Sequence, residues 1–150
     1  MQRQLPAESR GLEEKAMPIK PVQVKDYMSG KLVTFAPDTD VLDAIHDLVN
    51  HRIAGAPVVD SHGTLVGMLS EFDCLGVILK AAYHEQPGGP ISELMTTDVD
   101  TVDANMGIID LAELFIASGY RRYPVMKDNM LVGQISRKDV LRALKELSAA

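Results

Sequence analysis

The chain has no tryptophan, one cysteine, and aromatic side chains at only 5% of its 150 positions. A lone Cys74 excludes an intrachain disulfide and any zinc site built from cysteine pairs, which fits a reducing compartment. Basic residues are in the minority, 15 Lys and Arg against 21 Asp and Glu, for a formal net charge of −6. Without a basic surplus to displace phosphate counterions, nucleic acid is not an expected partner. The densest apolar run, Cys74 to Leu79, is far too short to span a bilayer, and the start Met1-Gln2-Arg3-Gln4-Leu5-Pro6 lacks the apolar core of a signal peptide. A cytoplasmic protein with no membrane partner is expected.

Signatures of catalysis and of metal binding are missing as well. Neither Ser70 nor Ser136 lies in Gly-x-Ser-x-Gly, and no phosphate loop or Gly-x-Gly-x-x-Gly occurs. His46, His51, His62 and His84 have no ligand spacing. A calcium loop started at Asp38 meets Asp43 and Val49 where Gly and Glu are needed, and one started at Asp98 meets Asp103 and Ile109. The expectation is a protein that is not an enzyme, with no metal and no obligatory cofactor.

What the sequence does have is a phrase used twice. Leu65-Val66-Gly67-Met68-Leu69-Ser70-Glu71-Phe72-Asp73-Cys74-Leu75 returns as Leu131-Val132-Gly133-Gln134-Ile135-Ser136-Arg137-Lys138-Asp139-Val140-Leu141, 66 residues later. An apolar run ending in Ser-x-x-Asp reads as a strand turning directly into a helix, with Ser as the N-cap and a carboxylate at the third helical position. Repetition on this scale sets the organisation of the whole chain.

The first 20 residues are polar and broken by Pro6, Gly11 and Pro18, and read as a disordered tail, helical at most around Glu13 to Ala16. Repeat 1 (21–86) opens with Val24-Lys25-Asp26-Tyr27-Met28 and a short strand from Leu32 to Phe35. Acidic helix-start residues at Pro37-Asp38-Thr39-Asp40 precede a stripe of Val41, Leu42, Ala44, Ile45, Leu48 and Val49. A strand at Ala56-Pro57-Val58-Val59, a hairpin turn at Asp60-Ser61-His62-Gly63, a strand from Leu65 to Leu69 and a helix from Glu71 to His84 complete it. After Pro87-Gly88-Gly89-Pro90, repeat 2 (87–150) passes through the same elements. Met95 matches Met28, Thr101 matches Thr34, and Tyr123-Pro124-Val125 matches Ala56-Pro57-Val58, each 67 residues apart. Helix Met106 to Ser118 turns Ile108, Ile109, Leu111, Ala112 and Phe115 inward, and the turn Lys127-Asp128-Asn129 is one residue shorter than its counterpart. The fold class expected is mixed α/β (α+β): two β-α-β-β-α repeats, each too small to stand alone, packed as a pseudo-two-fold pair.

With both halves laid out, the chain resembles a tandem pair of cystathionine-beta-synthase (CBS) domains, a Bateman module, over about residues 22 to 148. That resemblance implies a regulatory module that binds an adenosine-containing ligand, AMP, ADP or ATP first among the candidates, in a cleft between repeats and signals to an effector protein in trans. It implies roles for particular residues too: Asp73 and Asp139 at the ribose, Ser70 and Ser136 near the phosphate, Thr34 and Thr101 near the base or sugar, and Arg121 and Arg122 on the phosphate. Elementary chemistry agrees, because a helix N-terminus suits anionic oxygens and an acid beside it can accept both ribose hydroxyls. Arg121, Arg122 and Lys138 gather three cations in repeat 2, where repeat 1 has Ala54, Gly55 and Phe72. A phosphorylated ligand is therefore expected at the Asp139 site, with the Asp73 site weaker, selective for a nucleoside-like ligand, or unused.

Each of these readings has a plainer counterpart. Ser-x-x-Asp is also an ordinary capping box. Arg121 and Arg122 also suit a solvated turn, or partners for the many acids, and since neighbouring strand residues point opposite ways, one of the two faces the site. The helix from residue 71 to 84 is apolar around most of its circumference and needs burial on more than one side. Together with the family's habit of pairing through such helices, this gives the expectation of a homodimer. The alternative to a ligand sensor is a constitutive structural or interaction module with degenerate pockets.

Overall fold

The computed structural model describes residues 2–4, 22–83, 86 and 88–148. The first-helix expectation around Glu13 to Ala16 lies outside the described residues, as does His84. In chain order the elements are β1 (Gln2–Gln4), α1 (Val24–Tyr27), α2 (Val41–His51), β2 (Gly55–Val59), β3 (Leu65–Ser70) and α3 (Glu71–Ala82). After a 3-10 turn at Ile91–Glu93 come β4 (Val99–Asp103), α4 (Ile108–Ser118), β5 (Arg122–Lys127), β6 (Met130–Ser136) and α5 (Arg137–Ser148). The class is α+β. Among the described residues no helix is long and apolar enough to cross a membrane.

The chain folds into two compact units: Val33–Val99 with Met1–Arg3, and Asp100–Ala150 with Gln4–Leu32. These are not the same divisions as the sequence repeats. The opening of repeat 1, Val24 to Met28, belongs to the second unit, and the opening of repeat 2, Ile91 to Met95, belongs to the first.

In the first unit, β2 and β3 pair antiparallel, with Ala56 opposite Leu69 and Gly55 opposite Ser70. Alternation along β3 buries Leu65, Gly67 and Leu69 and leaves Val66, Met68 and Ser70 half-buried, with a period of two. Val41, Ala44 and Leu48 of α2 and Cys74 and Val77 of α3 pack with Phe35, Val58 and Ile91 as one core. The expected strand from Leu32 to Phe35 is reduced to a single bridge, Phe35 to Val58. Pro37 lacks the N–H that would extend the ladder, and the chain turns at once toward the Asp40 cap of α2. The α2 stripe is also narrower than its periodicity suggests, because Leu42 and Val49 are exposed.

In the second unit, β4 runs parallel to β5, and β5 pairs antiparallel with β6. Gln2–Gln4, read from the sequence as part of a disordered tail, is a strand. The β5–β6 turn places Asp128 and Asn129 at φ 51° and 65°, the paired left-handed geometry of a tight hairpin that Asp and Asn tolerate. Val24, Val102, Leu111, Tyr123, Ile135 and Ala143 are among the buried residues of this core. Of the α4 residues expected inward, Ile108, Leu111 and Phe115 are buried.

The opening segments lie against the units through one contact used twice. Ser29 exchanges two backbone hydrogen bonds with Gln134 (2.9 and 3.0 Å), and Thr96 exchanges two with Met68 (2.8 and 2.9 Å). Each opening thus covers the free edge of a strand that otherwise presents unpaired backbone groups. The approach is so close that a Cβ on Gly133 would stand 2.6 Å from the Ser29 oxygen and 2.8 Å from the Met28 sulfur. On Gly67 it would stand 2.7 Å from the Met95 sulfur and 2.9 Å from the Thr96 oxygen. The repeated Gly and the repeated Met are two halves of one fit.

Gly133→Ala is accordingly expected to lower the unfolding free energy by about 2 kcal/mol through overpacking against backbone. Gly76, in the middle of α3 with nothing within 4 Å of its would-be Cβ, is the control. Gly76→Ala is expected to stabilise by about 0.5–1 kcal/mol. Urea titrations of the two variants beside the parent read the opposite signs directly.

Candidate ligand-binding site

Both Ser-x-x-Asp phrases form the corner where a strand becomes a helix. At the first, the Ser70 N–H donates to Asp73 Oδ2 at 2.9 Å and the Asp73 N–H donates to Ser70 Oγ at 3.1 Å, a reciprocal capping box. At the second, Asp139 Oδ2 accepts from the Ser136 N–H at 2.8 Å and from the Ser136 hydroxyl at 3.1 Å, and the Asp139 N–H lies 3.4 Å from Ser136 Oγ. The residue that begins each helix is also held: the Glu71 N–H donates to the Ala54 carbonyl (2.8 Å) and the Arg137 N–H to the Arg121 carbonyl (3.1 Å). Two of the first-turn N–H groups at each corner are therefore used internally, and what the corner offers an incoming ligand is the remaining dipole and the carboxylate.

Around the second corner, Arg122 is the direct cross-strand partner of Ser136, so the two side chains share a face of the β5–β6 pair. Arg121 is exposed one residue earlier, and its carbonyl anchors the start of α5. Of the two arginines, Arg122 is the one registered with the corner. Lys138 is exposed on the first turn of α5. Arg137 turns away, donating to the carbonyls of Gly119 (2.7 Å) and Tyr120 (2.8 Å) and so capping the C-terminal end of α4 with a cation.

Thr101 does not share that surface. It is completely buried in β4, a core group in the second unit, whereas its counterpart Thr34 in the first unit is exposed. The placement of both threonines near a base or sugar thus rests on unlike environments. Thr101 sits at the centre of a full strand, and Thr34 on a segment that never becomes one.

The first corner differs in ways the sequence alone did not rank. Gly55 stands where Arg122 does, opposite Ser70, and a Cβ there would lie 2.8 Å from the Leu69 carbonyl oxygen. The strand is closed to a side chain at the position that carries a cation in the other unit. Phe72, the counterpart of Lys138, is 78% exposed. The Asp73 corner thus has no cation at the positions of Arg122 and Lys138 and has an aromatic side chain beside it.

Sequence reasoning missed Arg142. Its Nη2 donates to Asp139 Oδ1 at 3.2 Å and to the Tyr27 carbonyl at 3.0 Å, and its guanidinium lies 5.0 Å from the centre of the Tyr27 ring. The spacing of Asp139 and Arg142 along the helix was visible as a pair, but the contact with Tyr27, 115 residues away in sequence, was not. Partial burial and the Glu146 carboxylate push the Tyr27 phenol above its ordinary pKa. Among the described residues no group of three His, Cys, Asp or Glu side chains is arranged to hold a metal ion.

Each unit also has an apolar groove between its helices. Ile45, Val49, Ile53, Leu75 and Ile78 line the one between α2 and α3, and Phe115, Ile116, Leu141 and Leu144 line the one between α4 and α5. Along α3, Phe72, Leu75, Ile78 and Leu79 are all more than half exposed.

Comparison with known proteins gives a consistent picture. The CBS domain family matches residues 24–80 and again 91–146. The CBS domain-containing protein YhcV of Bacillus subtilis is 30% identical over 118 residues, which are 78% of this chain and 81% of that protein. The crystal structure of CBSX2 in complex with AMP has a TM-score of 0.73 at 31% identity, covering 84% of this chain and 98% of that one; CBSX2 comes from Arabidopsis thaliana. The CBS domain pair of MJ0100, crystallised with 5′-methylthioadenosine and S-adenosyl-L-methionine, has a TM-score of 0.68 at 26% identity, covering 86% and 98%. The curated relatives are spanned to very different extents, from 15% to 81% of their lengths.

Cys74 reports on the rigidity of the first corner. Burial, and then the neighbouring Asp73 carboxylate, raise its thiol above the ordinary value. In the native protein at neutral pH, labelling by a thiol reagent is expected to be much slower than in urea. Equal rates under the two conditions would show that the Ser70 corner opens freely.

Proposed function

The chain belongs to the CBS domain family, and from that premise we propose that it is a regulatory module binding an adenosine-containing ligand at the Ser136–Asp139 corner. The observation that carries this reading is the convergence of Arg122 and Ser136 on one strand face beside the Asp139 carboxylate at a helix start. An arginine next to a helix N-terminus suits a phosphate, and a carboxylate beside it suits the hydroxyls of a ribose. The AMP complex of CBSX2 and the methylthioadenosine and S-adenosylmethionine complex of the MJ0100 pair support adenosine as the common element. AMP is the preferred ligand in this proposal, with ADP and ATP next. The Asp73 corner, with Phe72 and no side chain at Gly55, suits an uncharged nucleoside better than a nucleotide.

Its role is binding and regulation, not catalysis. Ligand occupancy shifts the population of two arrangements of the protein, and an effector in trans reads the difference. We place it in the cytoplasm as a homodimer. The exposed apolar face of α3 and the two helix-lined grooves support an isologous interface, since a surface of that character on a solvated chain favours association.

A second reading has its own support. The Asp139 carboxylate is already used by Ser136 and Arg142, as expected of a purely structural corner. On that reading the protein is a constitutive interaction module.

Thermal unfolding of nucleotide-free protein separates the two. AMP at one hundred times its dissociation constant is expected to add about 2.7 kcal/mol of stability. Arg122→Ala is expected to weaken AMP about tenfold while changing adenosine little, and Asp139→Ala to weaken both. Absence of any shift with AMP, ADP, ATP or S-adenosylmethionine would favour the constitutive module.

A further inference from the structure

Arg142 joins two parts of the second unit that no backbone bond joins directly. On one side it holds Asp139 Oδ1 at 3.2 Å. On the other it holds the opening segment, through the Tyr27 carbonyl at 3.0 Å and the face of the Tyr27 ring. Glu146 closes the cluster, its Oε2 3.6 Å from Arg142 Nη1 and its Oε1 accepting from the Tyr27 hydroxyl at 3.3 Å. Asp139 Oδ2 is committed to Ser136, so Oδ1 is the oxygen nearest to being available, and Arg142 occupies it.

We propose that Arg142 is a displaceable counter-ion: with no ligand bound it ties Asp139 to the opening segment Val22–Ser29, and a ribose diol that takes Asp139 Oδ1 loosens that segment. The proposal rests on the nucleoside reading of the Asp139 corner, and it adds the route by which occupancy is felt elsewhere. Three features point this way. The Arg142 side chain is half exposed and Asp139 is 22% exposed, so the pair is weak enough for a ligand to replace. The remaining contacts of Arg142 are a carbonyl, a ring face and a solvated carboxylate, all of the same modest strength. And the device is confined to one unit. Gly76 stands where Arg142 does, Lys80 where Glu146 does and Leu94 where Tyr27 does, so nothing in the first unit can couple Asp73 to its opening by this route.

Coupling of this kind is reciprocal. If the ligand loosens the segment by some factor, loosening the segment in advance must strengthen the ligand by the same factor. This gives Arg142 an unusual expected phenotype for a cation near an anion-binding corner, since its removal should improve the binding of a ligand that has ribose and no phosphate.

Hydrogen exchange and equilibrium binding on the full chain test this, with adenosine as the probe and Arg142→Gln as the variant. Adenosine isolates the ribose contact from any effect of lost positive charge on phosphate. The amides of Val24, Lys25 and Ser29 donate to the carbonyls of Met106, Ala104 and Gln134 and report on the segment. Without ligand, their exchange is expected to be about two- to fivefold faster in Arg142→Gln than in the parent. Adenosine is expected to accelerate them in the parent and to leave them unchanged in the variant, and to bind the variant more tightly by the same factor. Equal ligand-free exchange in the two proteins would overturn the counter-ion role, whatever adenosine does. Slower exchange of the segment on adenosine binding, or weaker adenosine binding by Arg142→Gln, would overturn the displacement. If adenosine binds neither protein, the nucleoside reading fails, and the ligand-free comparison still decides whether Arg142 holds the segment.

Discussion

A pair of missing side chains controls how this protein is put together. Gly67 and Gly133 let the strands β3 and β6 meet a methionine and a main-chain carbonyl at distances no Cβ tolerates. Everything outward from those positions follows. The opening segment docks on the strand edge, the edge is satisfied by two backbone bonds, and the strand runs on straight to the serine that starts the next helix. The glycine is three residues from that serine in both copies, so the packing constraint and the chemical corner are parts of one short element.

The corner itself serves two ends with one set of atoms. Ser136 and Asp139 satisfy donors that the start of α5 leaves open, which any helix needs, and in doing so they fix the carboxylate in a single orientation. Held this way, the carboxylate keeps Oδ2 in the cap and presents Oδ1 to Arg142, so the cap can stay intact if a hydroxyl pair takes the place of the guanidinium. What differs between the two copies is the surroundings: Arg122 and Arg142 in one, Gly55 and Gly76 in the other. The two copies share a frame and differ in the charge inside it.

Much of this was legible in the sequence because it is local. The strand–helix corner, the hairpin turn at Asp128-Asn129 and the inward faces of α2 and α4 depend on residues within one or two turns of each other. One misreading was local and the others came from partners distant in sequence. Leu32 to Phe35 had strand composition, but Pro37 and the Asp40 cap claim the chain before a ladder forms. Gln2–Gln4 forms a strand although its three polar residues carry no alternation to mark one. Thr34 and Thr101 matched in register and not in burial, because register is set by the chain and burial by the strand around it. The Arg142 cluster was out of reach for the same reason, since its partner Tyr27 arrives from the far end of the chain.

The exchange of opening segments has a consequence for where such a chain can be divided. Each sequence repeat sends its first helix to the other compact unit, so the segment that is copied and the segment that packs are out of phase by one element. Each repeat carries an opening that packs on the other repeat's strand, and a strand edge covered by the other repeat's opening. Cutting the chain between the repeats would part each unit from the segment that covers its strand edge. Two separated repeats would each hold the cover that the other needs.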